Sequence, residues 1–293
     1  MKFNKFKYYL IVFLLMASII CLFVFPSTSS INLNNEVNPD TEIEENLPQD
    51  APITPDSPSS TLPSFKAWDK LWEYSLNIAL KGFTSNVSAT VTTASPLGDV
   101  TQSVKSTESY GNGKFLKETF SHNNVAKEGT YYENIYYENG ILYTRKTNNV
   151  NYEQNLYTYT SEPKQENKAD FKPSFTTLNT CTLTKDTVVK NTVLFDTVSN
   201  KTYYIIKLDY KVDKIPQSYE DVFLASGLAK DVIPKSISFE IRIYKHNAHL
   251  AYIKTTENYI TYSTILPSVG LNCTGVTTQT FKMNESPEIN RGY

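Results

Sequence analysis

His246 and His249, three positions apart, form the one pair in this 293-residue chain that looks like metal ligands. A zinc site takes four ligands, or three and a water, and His122 is the only other histidine. The pair also falls in the polar tetrad His246-Asn247-Ala248-His249, between two runs of β-formers. Solvated turn histidines are the plainer reading, so no metal is expected. Cys181 and Cys273 are the only cysteines outside an N-terminal apolar run. In an oxidising space they are candidates for a disulfide, which would close a loop of about 90 residues and stabilise by roughly 4–5 kcal/mol. Two unpaired thiols fit the same spacing, and no histidine stands where a catalytic thiol would need it. Glu133 and Glu138 flank tight turns, where surface acids are the default. The chain has no Gly-x-Ser-x-Gly elbow, phosphate loop or Cys-x-x-Cys pair. An enzyme and a cofactor are therefore not expected.

The elements that carry these residues are mostly strands. From Ser236 to Tyr244, Ile237, Phe239, Ile241 and Ile243 alternate with Ser238, Glu240 and Arg242, and Leu250 to Tyr262 resumes the pattern after the His-bearing loop. Side chains on a strand alternate between faces, so this is a hairpin with one dry side and one wet side. In Lys201 to Val212 the side chains of Tyr204, Ile206, Leu208, Tyr210 and Val212 share a face, preceded by Thr187 to Thr197 across a Ser199-Asn200 turn. Further upstream, Gly111-Asn112-Gly113 and Asn139-Gly140 are hairpin turns within an antiparallel meander from Val87 to Lys146. Val150 to Thr160 reads as another strand and Ser161 to Pro173 as a loop. Two helices complete the set. One spans Ser64 to Gly82 with a Trp68, Leu71, Trp72, Leu76, Ala79 stripe, and one spans about Ser218 to Val232, stopped by Pro234. The 21 Tyr and 15 Phe against 10 Gly also favour a sheet.

Lys2, Lys5 and Lys7 precede an apolar run from Tyr8 to Phe25. The pattern means export with the N-terminus held inside, and it fits either a cleaved signal peptide or a retained anchor within residues 1–26. Ser18-Ile19-Ile20 is a poor context for lipidation at Cys21. Residues 27–63 are rich in Pro, Asp and Glu and lack Lys and Arg, as expected of a disordered linker. Residues 64–280 then form a β-rich extracytoplasmic domain, and 281–293 a loose tail. The expected location is the cell membrane, single-pass, or outside the cell if the segment is cut. A net charge of −2 without a basic block argues against nucleic acid.

A helix at 64–82, meanders at 100–146 and 187–212, a helix at 218–232 and the closing hairpin at 236–262 follow an order that resembles the LolA/LppX-like lipoprotein-carrier superfamily. The resemblance implies an α+β fold: a curved antiparallel sheet, or half-open barrel, packed with two helices. It also implies a hydrophobic ligand or lipoprotein acyl chain between sheet and helices. The residues that would line such a cavity are Trp68, Leu71, Trp72, Tyr204, Ile206, Leu208, Phe239 and Ile241. A second expectation, drawn from the residues alone, is a surface-interaction or envelope-structural module. It would meet a protein partner through Tyr132, Tyr136, Tyr152, Tyr157 and Tyr159.

Overall fold

The computed structural model describes residues 67–290, apart from 95–98, 126–128, 170, 172, 174, 179, 199–200, 225–228, 265–267 and 284–286. The apolar N-terminal run, the acidic linker and the Ser199-Asn200 turn lie outside the described residues. The first helix, α1 (Trp68–Ala79), buries Trp68, Leu71, Trp72, Ser75 and Ala79 along one side. It covers the apolar stripe and stops short of Gly82, while the expected start at 64–66 lies outside the described residues. Leu80 N–H closes on Leu76 O and Lys81 N–H on Ile78 O, and Gly82 opens a strand instead of following a helix.

The strands are β1 (Gly82–Thr93), β2 (Val100–Gly111), β3 (Lys114–Asn123), β4 (Tyr131–Glu138), β5 (Ile141–Thr147), β6 (Val150–Asn151), β7 (Leu156–Tyr157), β8 (Lys164–Asn167), β9 (Val188–Val198) and β10 (Lys201–Tyr210). After a 3-10 turn (Val212–Lys214) come α2 (Gln217–Leu224), β11 (Ala229–Tyr244), β12 (Leu250–Ser263) and β13 (Gly270–Met283). Eleven strands make one antiparallel sheet in the order β8-β5-β4-β3-β2-β1-β13-β12-β11-β10-β9, and β6-β7 is a separate ribbon. The sheet stays open, with β8 and β9 as its edges. Asn112-Gly113 and Asn139-Gly140 all have positive φ (53°, 71°, 52°, 79°), the backbone that two-residue hairpins require.

Several expectations need correction. The second helix ends at Leu224, and Lys230 to Val232 already belong to β11. Pro234 therefore does not stop a helix. It sits at a register shift in the part of β11 that pairs only with β12, where its missing N–H breaks no ladder bond on the open side. Val150 to Thr160 folds back on itself as β6-β7, and the loop expected at 161–173 contains edge strand β8. Val212 leaves the dry face and is exposed in the 3-10 turn. Gly270–Met283, where no strand was assigned, is β13, which joins β12 to β1 through the middle of the sheet. The tail is not loose throughout: Ile289 is buried.

The core lies on one face of the sheet, where α1 packs on β1 and β12 and α2 on β11. Phe83 is its aromatic centre, with ring centroids 5.3 Å from Phe175, 5.8 Å from Phe281 and 6.3 Å from Tyr110. Truncating Phe83 to alanine leaves a cavity that three flanking rings cannot fill together. The urea midpoint of the variant should fall by the equivalent of about 3–5 kcal/mol, and a loss below about 1 kcal/mol would mean that the rings do not form one packed unit.

Candidate functional site

All eight residues expected to line a cavity come together in one cluster. Trp68, Leu71 and Trp72 descend from α1, Ile206 and Leu208 face them from β10, and Phe239 and Ile241 from β11; these seven are buried. Tyr204 is half-buried against the same cluster. They pack against one another and against residues 171–183, an irregular strap that sequence periodicity did not single out. The strap brings Phe175, Cys181 and Leu183 into the cluster. Phe171 stacks on Tyr137 at 4.4 Å and leans on Phe115 at 5.4 Å.

The strap is held by side chains as a bound peptide would be. The Thr177 N–H and hydroxyl donate to Gln279 Oε1 at 3.3 and 3.1 Å, and the Thr255 hydroxyl donates to the Thr177 carbonyl. The Gln279 amide nitrogen donates in turn to Glu108 at 2.7 Å and to the Ser85 hydroxyl at 2.9 Å. Glu108, 1% exposed, receives Lys117 Nζ at 3.2 Å and the Thr176 hydroxyl, and Lys117 also donates to Thr176 at 3.0 Å. A buried charge is tolerated only when paired and hydrogen-bonded, and here the strap completes the set.

A second inward acid is less well provided for. Glu257 lies on β12 opposite Ile237 of β11 and Gly275 of β13. A methyl group at Gly275 would stand 3.2 Å from Val91 Cγ2 and 3.3 Å from Glu257 Oε2, so the glycine makes room for the carboxyl. Neighbours crowd Glu257, although part of its surface stays accessible. Burial pushes its pKa up to about 7, with the Tyr219 hydroxyl of α2 pulling the other way. That hydroxyl is shut off from solvent and has no well-aligned hydrogen bond among the described residues. Phe223 of α2 joins Tyr219 to Tyr259, with centroids 5.3 and 5.2 Å apart.

The expected Cys181–Cys273 bridge is not formed. Both are buried free thiols. The Cys273 sulfur lies 3.3 Å from the Thr93 hydroxyl, and burial raises its pKa to about 11. Cys181 is raised by burial and by the neighbouring Glu257 carboxylate. His246 and His249 sit in the turn between β11 and β12, and His122 stacks on Tyr152 at 4.8 Å. Among the described residues no three His, Cys, Asp or Glu side chains gather. Two of the five contact tyrosines are misplaced by the sequence reading. Tyr132 and Tyr136 are buried: the β6-β7 ribbon stacks Tyr157 on Tyr132 at 3.6 Å, and Tyr136 lies beside Tyr143 with its hydroxyl donating to Glu138 at 2.8 Å. Tyr157 remains exposed, while Tyr152 and Tyr159 are half-buried. Glu133, expected at the surface, turns inward, and burial raises its pKa against the pull of Lys146 and Lys117. The outer face also carries an open depression of about 320 Å³ over β10, β11 and β12, among Lys207, Asp209, Glu240 and Lys254.

No family model and no curated protein matches the chain. Among solved structures it is similar to an outer membrane lipoprotein-sorting protein domain from Vibrio parahaemolyticus. The two share 7% identity over 72% of this chain and 91% of the other, with a TM-score of 0.24. It is also similar to a DUF1329 family protein from Desulfovibrio piger, at 8% identity over 73% and 90% of the two chains and a TM-score of 0.25. Neither likeness carries a residue or a role over to this chain.

Removing the Glu108 carboxyl strands Lys117 and unpins the strap. Glu108→Ala should lower unfolding stability by about 3–5 kcal/mol in urea titrations, and a neutral outcome would mean that the pair is dispensable. Glu257 predicts a pH dependence. Its folded pKa lies above its unfolded value, so the native state holds the proton more tightly, and stability should drop by about 1–3 kcal/mol as pH rises from about 4.5 through 7. Glu257→Gln should flatten that part of the curve, and an unchanged slope would place the titration elsewhere.

Proposed function

We propose that this chain is a non-enzymatic, membrane-tethered extracytoplasmic domain whose inner face takes an apolar guest, such as a lipid acyl chain, when the strap yields. The tether is the apolar run Tyr8–Phe25, and cleavage after it would make the domain a secreted one. The observation that carries this reading is the strap. Among its described residues the strap has no helix or strand, and it sets Phe171, Phe175, Cys181 and Leu183 against the inner face of an open sheet. Irregular segments open at lower free energy than the sheet beneath them, and what they uncover here is aromatic and aliphatic.

A second reading, a surface-interaction module, is favoured by one observation. Leu156 and Tyr157 on the β6-β7 ribbon are 59% and 39% exposed, an apolar pair presented to solvent on the outer face.

Native mass spectrometry of the gently extracted chain, with uptake of a fluorescent fatty acid, tests the first reading. Co-purified acyl mass or saturable uptake is expected, and Phe175→Ala, which loosens the strap, should raise uptake by about tenfold. A bare protein mass with no uptake in either form overturns the carrier and leaves the surface-interaction reading.

A further inference from the structure

The depression of about 320 Å³ on the outer face is polar throughout its lining. Leu208 and Phe239 turn their side chains into the core on the opposite face, so what they lend the floor is backbone. Thr192, Ser238 and Thr256, all half-buried, supply hydroxyl groups. Lys207, Glu240 and Lys254 cross it as one row of register partners, and Asp209, Ser238 and Thr256 form the next row. The four charges are not equivalent. Glu240 is already engaged, since Arg242 Nε and Nη2 donate to its Oε1 at 2.8 and 2.6 Å and Lys207 Nζ lies 3.7 Å from its Oε2. That leaves Lys254 at one corner and Asp209 at the opposite one, neither in an ion pair or hydrogen bond with a described side chain.

We propose that this depression binds a short zwitterionic peptide, about two or three residues long, with its ammonium end on Asp209 and its carboxylate end on Lys254. An anion alone would meet Asp209, and a cation alone would meet Lys207 and Lys254. A ligand that carries both charges suits both corners. The corners lie two strands and two residues apart, about 12 Å between backbones by the spacing of a sheet. Side chains stand roughly perpendicular to the sheet, so the two charges keep most of that separation. A free amino acid carries its charges on one carbon and falls short of the span, whereas an extended peptide covers roughly 3.3–3.6 Å per residue. Its amide groups would lie over the hydroxyls between the corners, which both donate and accept. The site is on the other face of the sheet from the one that would take an acyl chain, so either reading holds without the other.

Calorimetric titration of the gently extracted full chain with trialanine tests the assignment, against the same peptide acetylated at its amine, amidated at its carboxylate, or blocked at both ends. Charge contacts on an open face are modest, so each single block should weaken binding by about threefold to fivefold, and the doubly blocked peptide should bind weakest. Asp209→Asn should cost the free peptide about the same factor and the acetylated one nothing. Lys254→Gln should behave likewise toward the free and the amidated peptide. Lys190, the register partner of Asp209 on β9, is the control, and Lys190→Gln should not weaken trialanine binding. Equal affinity for the free and doubly blocked peptides overturns the site. So does a loss in Asp209→Asn that persists with the acetylated peptide or that Lys190→Gln reproduces, and so does the absence of any binding by trialanine.

Discussion

Glu108 and Lys117 face each other on neighbouring strands of the inner face, on a sheet whose other inward residues are mostly apolar. Neither charge can leave water at tolerable cost unless its remaining hydrogen-bonding capacity is filled, and much of what fills it comes from Thr176, Ser85 and Gln279. The interior is therefore arranged around a polar knot. Gln279 holds Thr177, Thr255 holds the same peptide unit from the other side, and the aromatic packing of Phe171 and Phe175 follows from where that peptide is pinned.

Much of the architecture was legible because the strands that matter alternate cleanly. Ile237 to Ile243 and Tyr204 to Leu208 turned the same faces inward as their spacing required, and both Asn-Gly turns formed hairpins. The reading failed where inward positions are polar. β13 places Leu271, Cys273, Gly275, Thr277, Gln279 and Phe281 on its inner side, and a dry face built partly from glycine, threonine and glutamine does not look dry. Pro234 reads as a helix terminator in sequence, whereas a one-sided stretch of strand accommodates it and the second helix ends at Leu224.

The candidate site was half visible for the same reason. The eight apolar residues were found because hydrophobic periodicity is the signal that strands and helices emit. Glu108 and Glu257 were not found, because a charged residue at an inward position breaks the apolar alternation by which such positions are recognised. The strap had no such signal. Phe171 and Phe175 lie among Lys, Pro and Ser in a stretch without period, and only contacts with rings more than 30 residues away in sequence explain them. The unbridged thiols make a related point: shared compartment and loop length say nothing about which way two side chains point.

The seam between β1 and β13 joins residues about 200 positions apart, from Phe83 against Met283 to Thr93 against Cys273. Contacts that span so much chain form late, since the entropy of closing the loop is lost before any of them rewards it. While the polypeptide is being synthesised, β1 can pair with β2 but must wait with its other edge bare until nearly the last strand arrives. A chain cut short before Gly270 would thus keep two half-sheets with exposed backbone along the break. Such a fragment is a template for clumping with its own copies, so the arrival of β13 is the step that protects both open edges.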